Sequence, residues 1–146
     1  MKWAALILWV ITALGGFTLL GIWLRRGGLG QADQPGRRIR PPLIFGHMGL
    51  AVTGLVLWII YVAGAGKGLA WVAFVLLLLV ASLGFGMLAL WLQRRQTQTV
   101  AVAGAPSGPA GDGGVPAEQH FPSGIVVLHG LVAAATLVLV FLAAVS

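Results

Sequence analysis

The sequence predicts an all-α integral membrane protein: a four-helix bundle built from two tandem two-helix repeats, with both termini on the outer side (N-out/C-out). Three observations lead to this fold class. The 146-residue chain is 59% hydrophobic and only 8% charged, whereas a soluble domain is about 25% charged. Its apolar residues fall in four long runs whose ends carry the basic residues. The two halves of the sequence also resemble each other.

The four apolar runs are the predicted membrane spans, at residues 3–24, 43–63, 69–92 and 124–145. Each has about the 20 residues that a helix needs to cross a bilayer core. None contains Asp, Glu, Lys or Arg. Their many glycines are common in membrane helices, where small residues let two backbones approach closely. The lipid bilayer is therefore the first predicted partner.

The basic residues predict the orientation of the spans. Seven arginines lie between spans 1 and 2 or after span 3, at positions 25, 26, 37, 38, 40, 94 and 95, while only Lys2 and Lys67 lie on the other side. The positive-inside rule therefore places both arginine-bearing loops in the cytoplasm. Because these charges sit at span ends rather than on a soluble face, the net charge of +6 does not indicate a nucleic-acid partner. Residue usage rich in Ala, Gly, Val and Arg indicates a bacterial plasma (inner) membrane.

The two cytoplasmic loops differ in character. Residues 25–42 form a short basic linker that ends in Pro41–Pro42, which suits the start of a helix. Residues 96–123 are rich in Gly, Pro and Ala, a composition typical of a flexible loop rather than a domain. The three acidic residues all lie in these loops, at positions 33, 112 and 118.

An internal repeat relates the two halves of the chain. An offset of 68 residues aligns the first span with the third, and it pairs Trp3 with Trp71, Trp23 with Trp91, Gly16 with Gly84, Phe17 with Phe85 and Arg26 with Arg94. An offset of 82 aligns the second span with the fourth and pairs His47 with His129. The chain is thus interpreted as two helical hairpins, residues 1–63 and 69–146. Repeats of two spans share one orientation, so their pseudo-twofold axis is expected along the membrane normal.

The two aligned histidines predict a shared site. Each lies near the cytoplasmic start of the second helix of its repeat, so both are expected at the same depth. In an up-down-up-down bundle, spans 2 and 4 are diagonal neighbours, with axes roughly 14 Å apart. Imidazoles reaching inward from His47 and His129 leave room for a flat group between them. A haem iron held by histidine from both sides is one such arrangement, since imidazole is a usual axial ligand.

Flanking residues fit the same interpretation. Glycine on the neighbouring helices, one to two turns deeper than the histidines, would let a macrocycle approach the backbone, and the phenylalanine beside it would pack on the ring. Arginine at the cytoplasmic span ends would meet the two propionates, since guanidinium groups bind carboxylates well. The residues predicted to line the cofactor are Gly16, Gly84, Phe17, Phe85, Arg26 and Arg94.

This pattern resembles the four-helix membrane b-type cytochromes, in which paired histidines on different helices clamp haem. The resemblance covers the architecture and the histidine pair alone. Members of that group often carry two histidine pairs, whereas this chain has one pair within its spans. The resemblance therefore implies at most one bis-histidine haem b. It implies a small membrane cytochrome or electron-transfer subunit that works with a redox partner or a larger membrane complex.

Two alternatives remain open. A histidine one turn inside a span also forms interhelical hydrogen bonds without any cofactor, and a duplicated gene duplicates a structural histidine too. The chain would then be an accessory or structural subunit of a larger membrane complex. In the second alternative each histidine binds its own (bacterio)chlorophyll, since one imidazole per pigment is enough.

Other functional classes find little support. With no Cys there is no thiolate metal site, iron–sulfur cluster or disulfide exchange. Two histidines fall short of the three or four ligands of a zinc site unless His120 folds back toward them, and His120 is expected to be solvated in its loop. No catalytic constellation appears, which favours a carrier or accessory subunit over an enzyme. The tryptophans near the span ends, together with Trp58 and Tyr61, are expected to anchor the helices at the membrane interfaces.

Overall fold

The computed structural model describes residues 1–30, 39–104 and 116–146, with the backbone alone described at 97–104. This part of the chain contains no strand. It folds into α1 (Lys2–Arg25), α2 (Pro41–Val62), α3 (Lys67–Gly104), a short 3₁₀ helix (Ala117–His120) and α4 (Ser123–Val145). All four α-helices are long and apolar enough to cross a membrane. The prediction of an all-helical chain with four candidate spans is therefore confirmed, and the chain is treated as a multi-pass membrane protein.

Proline and glycine set the helix boundaries. Pro41–Pro42 occupies the start of α2, where a missing backbone N–H leaves no helical hydrogen bond unmade. After α1, Gly27 adopts a positive φ of 76°, and the N–H of Gly28 donates to the carbonyl of Trp23 at 2.9 Å. This is the Schellman ending, which satisfies the last carbonyls of a helix. Gly64, with φ of 116°, turns the chain after α2.

The cytoplasmic loop predicted at residues 96–123 is shorter than expected. Helix α3 continues through Gly104, and residues 117–120 form the 3₁₀ helix. The predicted bounds were wrong at both ends, because the Gly- and Pro-rich composition of the whole segment does not hold for its first and last residues. In particular, no proline lies between residues 93 and 105, so nothing ends helix α3 there. The middle of this loop, residues 105–115, lies outside the described residues, as do residues 31–38 with two of the predicted cytoplasmic arginines.

The four helices form a ring in chain order. Helix α1 packs most closely against α4, and α2 against α3, while α3 with α4 and α1 with α2 complete the ring. In the described part, no Cα atoms of α2 and α4, or of α1 and α3, approach within 8 Å. Helices α2 and α4, which carry the two histidines, are therefore diagonal. The division into hairpins 1–63 and 69–146 stays a prediction.

The apolar core fills the half of the bundle that lies near both termini. It combines the first turns of α1 and α3 with the last turns of α2 and α4, around Trp9, Trp58 and Val140. The indole N–H of Trp58 donates to the carbonyl of Lys2 at 3.3 Å, and the Tyr61 hydroxyl donates to that of Ala143 at 3.4 Å. His47 and His129, near the starts of α2 and α4, lie in the opposite half of the bundle.

The tryptophans do not all serve as interfacial anchors. Trp3 and Trp71 are 62% and 43% exposed, as expected of anchors. Trp23, Trp58 and Trp91 are buried instead, so that expectation was wrong for these three. Each of these side chains packs against a neighbouring element of the bundle. A tryptophan near a span end can face either the bundle interior or the lipid, and its position in the sequence does not show which.

Each helix also carries an exposed apolar face. On α1 this face runs through Ile7, Val10, Leu14 and Phe17, all at least 41% exposed, at the three- and four-residue spacing of one helix side. The other three helices expose similar rows of large apolar residues. Apolar surface of this extent is unfavourable in water and suits contact with lipid.

Candidate functional site

The two membrane-span histidines lie side by side inside the bundle. His47 projects from the second turn of α2 and His129 from the second turn of α4. Their ring centroids are 6.5 Å apart, and the ring planes meet at 62°. Both side chains are half-buried. Two residues separated by most of the chain are thus brought together from diagonal helices.

A backbone carbonyl fixes each imidazole through its Nδ1 atom. Nδ1 of His47 lies 3.0 Å from the carbonyl oxygen of Val80 on α3, and Nδ1 of His129 lies 3.0 Å from that of Thr12 on α1. A carbonyl oxygen only accepts hydrogen bonds, so Nδ1 carries the hydrogen and donates in both rings. In the neutral form of each ring, Nε2 is then the nitrogen whose lone pair is available for a ligand. Histidines that bind metals are commonly oriented in this way, by a hydrogen bond from their other nitrogen.

Glycine lets each ring reach its carbonyl. Gly16 and Gly84 each lie one turn beyond the accepting residue on the same helix, on the side that faces the histidine. A Cβ atom added to Gly16 would lie 3.2 Å from Cε1 of His129, and one added to Gly84 would lie 3.2 Å from Cε1 of His47. Gly15 is also close, since its added Cβ would be 3.3 Å from Nδ1 of His129. A larger side chain at these positions would push the imidazole away from its acceptor.

The two predicted glycines lie at the level of the histidines rather than one to two turns deeper. The expected depths were counted from the ends of the apolar runs. In the structure α2 begins at Pro41 and α4 at Ser123, two residues and one residue before the apolar runs that marked their starts. Counting from span ends also leaves out how far neighbouring helices are shifted along their axes, and the contacts of Gly16 and Gly84 with the imidazoles show that shift.

The predicted phenylalanines are not brought to the histidine pair. Phe17 and Phe85 are 50% and 67% exposed, and each belongs to the outward apolar face of its helix. Each follows its glycine directly, and consecutive residues on a helix differ by about 100° in direction. The glycine therefore faces the imidazole while the phenylalanine faces outward.

The predicted arginines lie at the end of the bundle nearest the histidines. Arg26 directly follows α1 and is exposed, and Arg94 is half-buried near the end of the apolar part of α3. Each lies ten residues beyond its glycine, about 15 Å along the helix axis. Both arginines therefore lie closer to the end of the bundle than the imidazoles do.

The 3₁₀ helix contributes buried polar groups that the sequence analysis missed. It contacts both α1 and α3, and the indole N–H of Trp91 donates to the Glu118 carbonyl at 3.1 Å. The Glu118 side chain is 2% exposed. His120 was expected to be solvated, yet its Nδ1 atom is buried. The available signal was a polar segment, AEQH, enclosed by Pro116 and Pro122 directly before an apolar helix.

The donor set limits the kind of cofactor that fits. Among the described residues, no group of three or more His, Cys, Asp or Glu side chains comes together. A metal held by protein ligands alone, such as structural zinc, wants three or four of them. Two imidazoles suit a metal whose other ligands come with the cofactor itself, as they do in haem.

Comparisons with family models, with curated proteins and with solved structures find nothing that matches this chain.

Proposed function

We propose that the chain is a small integral membrane b-type cytochrome or electron-transfer subunit that binds one haem b between His47 and His129. The observation that carries this proposal is the 6.5 Å spacing of two diagonal imidazole rings. A metal bound to both rings at the ~2 Å of a metal–imidazole bond would place their centroids about 6 Å apart, since each centroid lies about 1 Å behind its nitrogen. The observed spacing agrees with that value.

Other features support the same assignment. The bonds to Val80 and Thr12 hold both rings with Nε2 free, and the two glycines keep the flanking helices close to the site. When bound, haem would supply one-electron oxidation and reduction. Arg26 and Arg94 would meet the propionates, whereas the proposed site leaves out Phe17 and Phe85, which are 50% and 67% exposed.

The same spacing argues against two separate pigments. If each histidine bound its own pigment, the two macrocycles would stack between the imidazoles at a distance of about 3.5 Å. Together with the two metal–imidazole bonds, this stacking distance would place the imidazole centroids about 10 Å apart. A (bacterio)chlorophyll on each histidine is therefore not proposed. A cofactor-free accessory subunit is the second candidate. The observation in its favour is that each imidazole already links two helices through a hydrogen bond.

The proposal includes the tandem repeat. Thr12 and Val80, which accept the two histidine hydrogen bonds, differ by 68 residues, as do Gly16 and Gly84. The two halves of the site thus use equivalent positions of the aligned spans. A duplicated two-helix unit with a pseudo-twofold axis along the membrane normal would produce this equivalence.

The orientation and location follow from charge and composition. The end of the bundle that carries the 3₁₀ helix also carries Arg25, Arg26, Arg40, Arg94 and Arg95, whereas Lys2 and Lys67 lie at the other end. By the positive-inside rule we assign the arginine-bearing end to the cytoplasm of a bacterial cell and both termini to the outer side. The haem would then lie in the cytoplasmic half of the plasma membrane, within reach of a redox partner.

An absorption spectrum of the full chain, expressed with sufficient haem supply and purified in mild detergent, tests the function. The expected result is a reduced-minus-oxidised haem b signal with one haem per chain and a low-spin ferric electron paramagnetic resonance spectrum. A colourless preparation, with the helical content intact by circular dichroism, would contradict the cytochrome and support the cofactor-free subunit. Two haems per chain would contradict the shared site.

A further inference from the structure

Helices α1 and α4, which hold His129, are joined by a second polar contact near the histidine. The Thr12 carbonyl accepts the hydrogen bond from Nδ1 of His129 at 3.0 Å, and the Thr12 hydroxyl oxygen lies 3.3 Å from that of Thr136 on α4. Each hydroxyl also lies 2.9 or 2.8 Å from the carbonyl oxygen four residues earlier on its own helix. The pair thus shares two hydrogens among three contacts. Thr12 therefore contacts α4 through both its carbonyl and its side chain, and Thr136 is fully buried.

The aligned positions of α2 and α3 cannot form this hydroxyl contact. The alignment of the two halves pairs Thr12 with Val80, and it pairs Thr136 with Gly54. Neither Val80 nor Gly54 has a hydroxyl group. The distance from Nδ1 to the accepting carbonyl is 3.0 Å for both histidines, so the two rings differ in how firmly the helix of the acceptor is held. Hydrogen bonds between helices matter for this in a membrane, where no hydrophobic driving force holds one helix to another.

The His129 ring also lies against a longer stretch of backbone than the His47 ring does. A Cβ atom added to Gly15 would lie 3.3 Å from Nδ1 of His129, and one added to Gly16 would lie 3.2 Å from its Cε1. Beside His47, Leu83 takes the position of the first of these two glycines. His129 thus packs on two consecutive glycines of α1 and His47 on one glycine of α3. His129 is therefore the more firmly placed of the two rings.

We propose that Thr12 and Thr136 are positioning residues for His129, the fixed ligand of the haem iron; this rests on the proposed function. His47 is then the exchangeable ligand, and the ferrous iron accepts a small neutral molecule in its place, for which carbon monoxide is the probe. The bond from iron to Nε2 of His47 breaks, and a bond from iron to the carbon of carbon monoxide forms. No electron or proton is transferred, and His47 rebinds the iron when the small molecule leaves.

The rate of carbon monoxide binding to the purified, reduced full chain tests which ring is exchangeable. A histidine must first leave the iron, so a substitution that loosens this histidine speeds the binding. Gly84→Ala and Gly16→Ala are matched, since each brings a Cβ atom to 3.2 Å from Cε1 of the ring beside it. Gly84→Ala, which acts on His47, should speed binding by the larger factor. Equal factors, a larger factor in Gly16→Ala, or a reduced haem that binds no carbon monoxide would overturn the proposal.

The infrared spectrum of bound carbon monoxide tests the role of the threonines. The wild type should give one C–O stretching band. Thr136→Val removes the hydroxyl group and should add a second band, from carbon monoxide bound in place of His129. Thr53→Val is the matched control, because Thr53 is exposed on α2 and its hydroxyl donates to the Gly49 carbonyl of its own helix; it should keep the single band. A single, unshifted band in Thr136→Val would refute the positioning role.

Hydrogen exchange in the haem-free full chain gives a readout that does not need the cofactor. In nuclear magnetic resonance spectra of the chain with isotope-labelled histidine, the Nδ1–H of His129 should exchange with water about threefold more slowly than that of His47. This is the factor that an average interhelical hydrogen bond supplies in a membrane, and Thr136→Val should remove the difference. Equal exchange in the wild type would overturn the asymmetry. A chain that never binds haem refutes the proposed function, whereas a haem protein with two equal rings refutes this inference alone.

Discussion

Replacing Gly84 by leucine should displace the His47 ring. A Cβ atom at Gly84 would lie 3.2 Å from Cε1 of His47, whereas carbon atoms in good contact are about 3.5–4.0 Å apart. Alanine therefore requires a shift of only a few tenths of an ångström. The further carbons of leucine would occupy the space of the ring itself, so the imidazole must leave the Val80 carbonyl.

The expected cost follows from the contacts that are lost. The hydrogen bond from His47 Nδ1 to Val80, at 3.0 Å, contributes on the order of 1 kcal/mol within a membrane. Forcing extra carbons into a packed interior costs about 1–3 kcal/mol. The sum is about 2–4 kcal/mol. Gly86→Leu is the matched control, because Gly86 lies on the same helix and nothing lies within 4 Å of its added Cβ.

Reversible unfolding in mixed detergent micelles, combined with the haem content of each variant, measures this effect. Gly84→Leu should be about 2–4 kcal/mol less stable than Gly86→Leu and should purify with less haem. Subtracting the control removes the shared change in helix propensity and apolar area. Equal stability and equal haem content in the two variants would refute the reasoning that Gly84 makes room for the ring.

Two further predictions concern the fold and its orientation. A reporter fused after Ser146 should be active outside the cytoplasm and one inserted at Gly111 should be active inside; the reverse pattern would overturn the orientation. Gly28→Ala should lower stability by about 1–3 kcal/mol, because a Cβ there would overlap the Trp23 ring, whereas Gly30→Ala, with nothing closer than 3.8 Å to its Cβ, should change little. Equal melting temperatures for these two variants would show that Trp23 does not pack against the turn.

The four helices were predictable because a membrane span is specified by length and composition. Apolar runs of about 20 residues leave few alternatives to a helix in lipid, and each of the four runs falls on one of the helices α1 to α4. His47 and His129 were expected to lie together because the proposed alignment of the two halves places them at one depth on diagonal helices, and their rings do lie 6.5 Å apart. The ends of the helices were harder to predict, because α3 continues through Gly104 beyond its apolar residues.

The details of the site depend on how the helices slide and rotate against one another. The sequence placed Gly16 deeper than the histidines, and the structure places it beside His129. Phe17 was predicted to line the same site as Gly16, although adjacent residues on a helix face different directions. The burial of Glu118 and Trp23 depends on where the 3₁₀ helix and the turn after α1 fold back. These contacts join distant parts of the chain, so no local pattern predicts them.

The haem content and spectrum of His47→Ala and His129→Ala, measured beside the double variant, test the shared site most directly. If both rings hold one haem, each single variant should lose the low-spin bis-imidazole spectrum to a similar degree. The double variant should be no worse, since residues acting as one unit are non-additive, and His120→Ala should keep the native spectrum. Retention of the native spectrum in His47→Ala, or a loss of only half the chromophore in each single variant, would contradict the shared site.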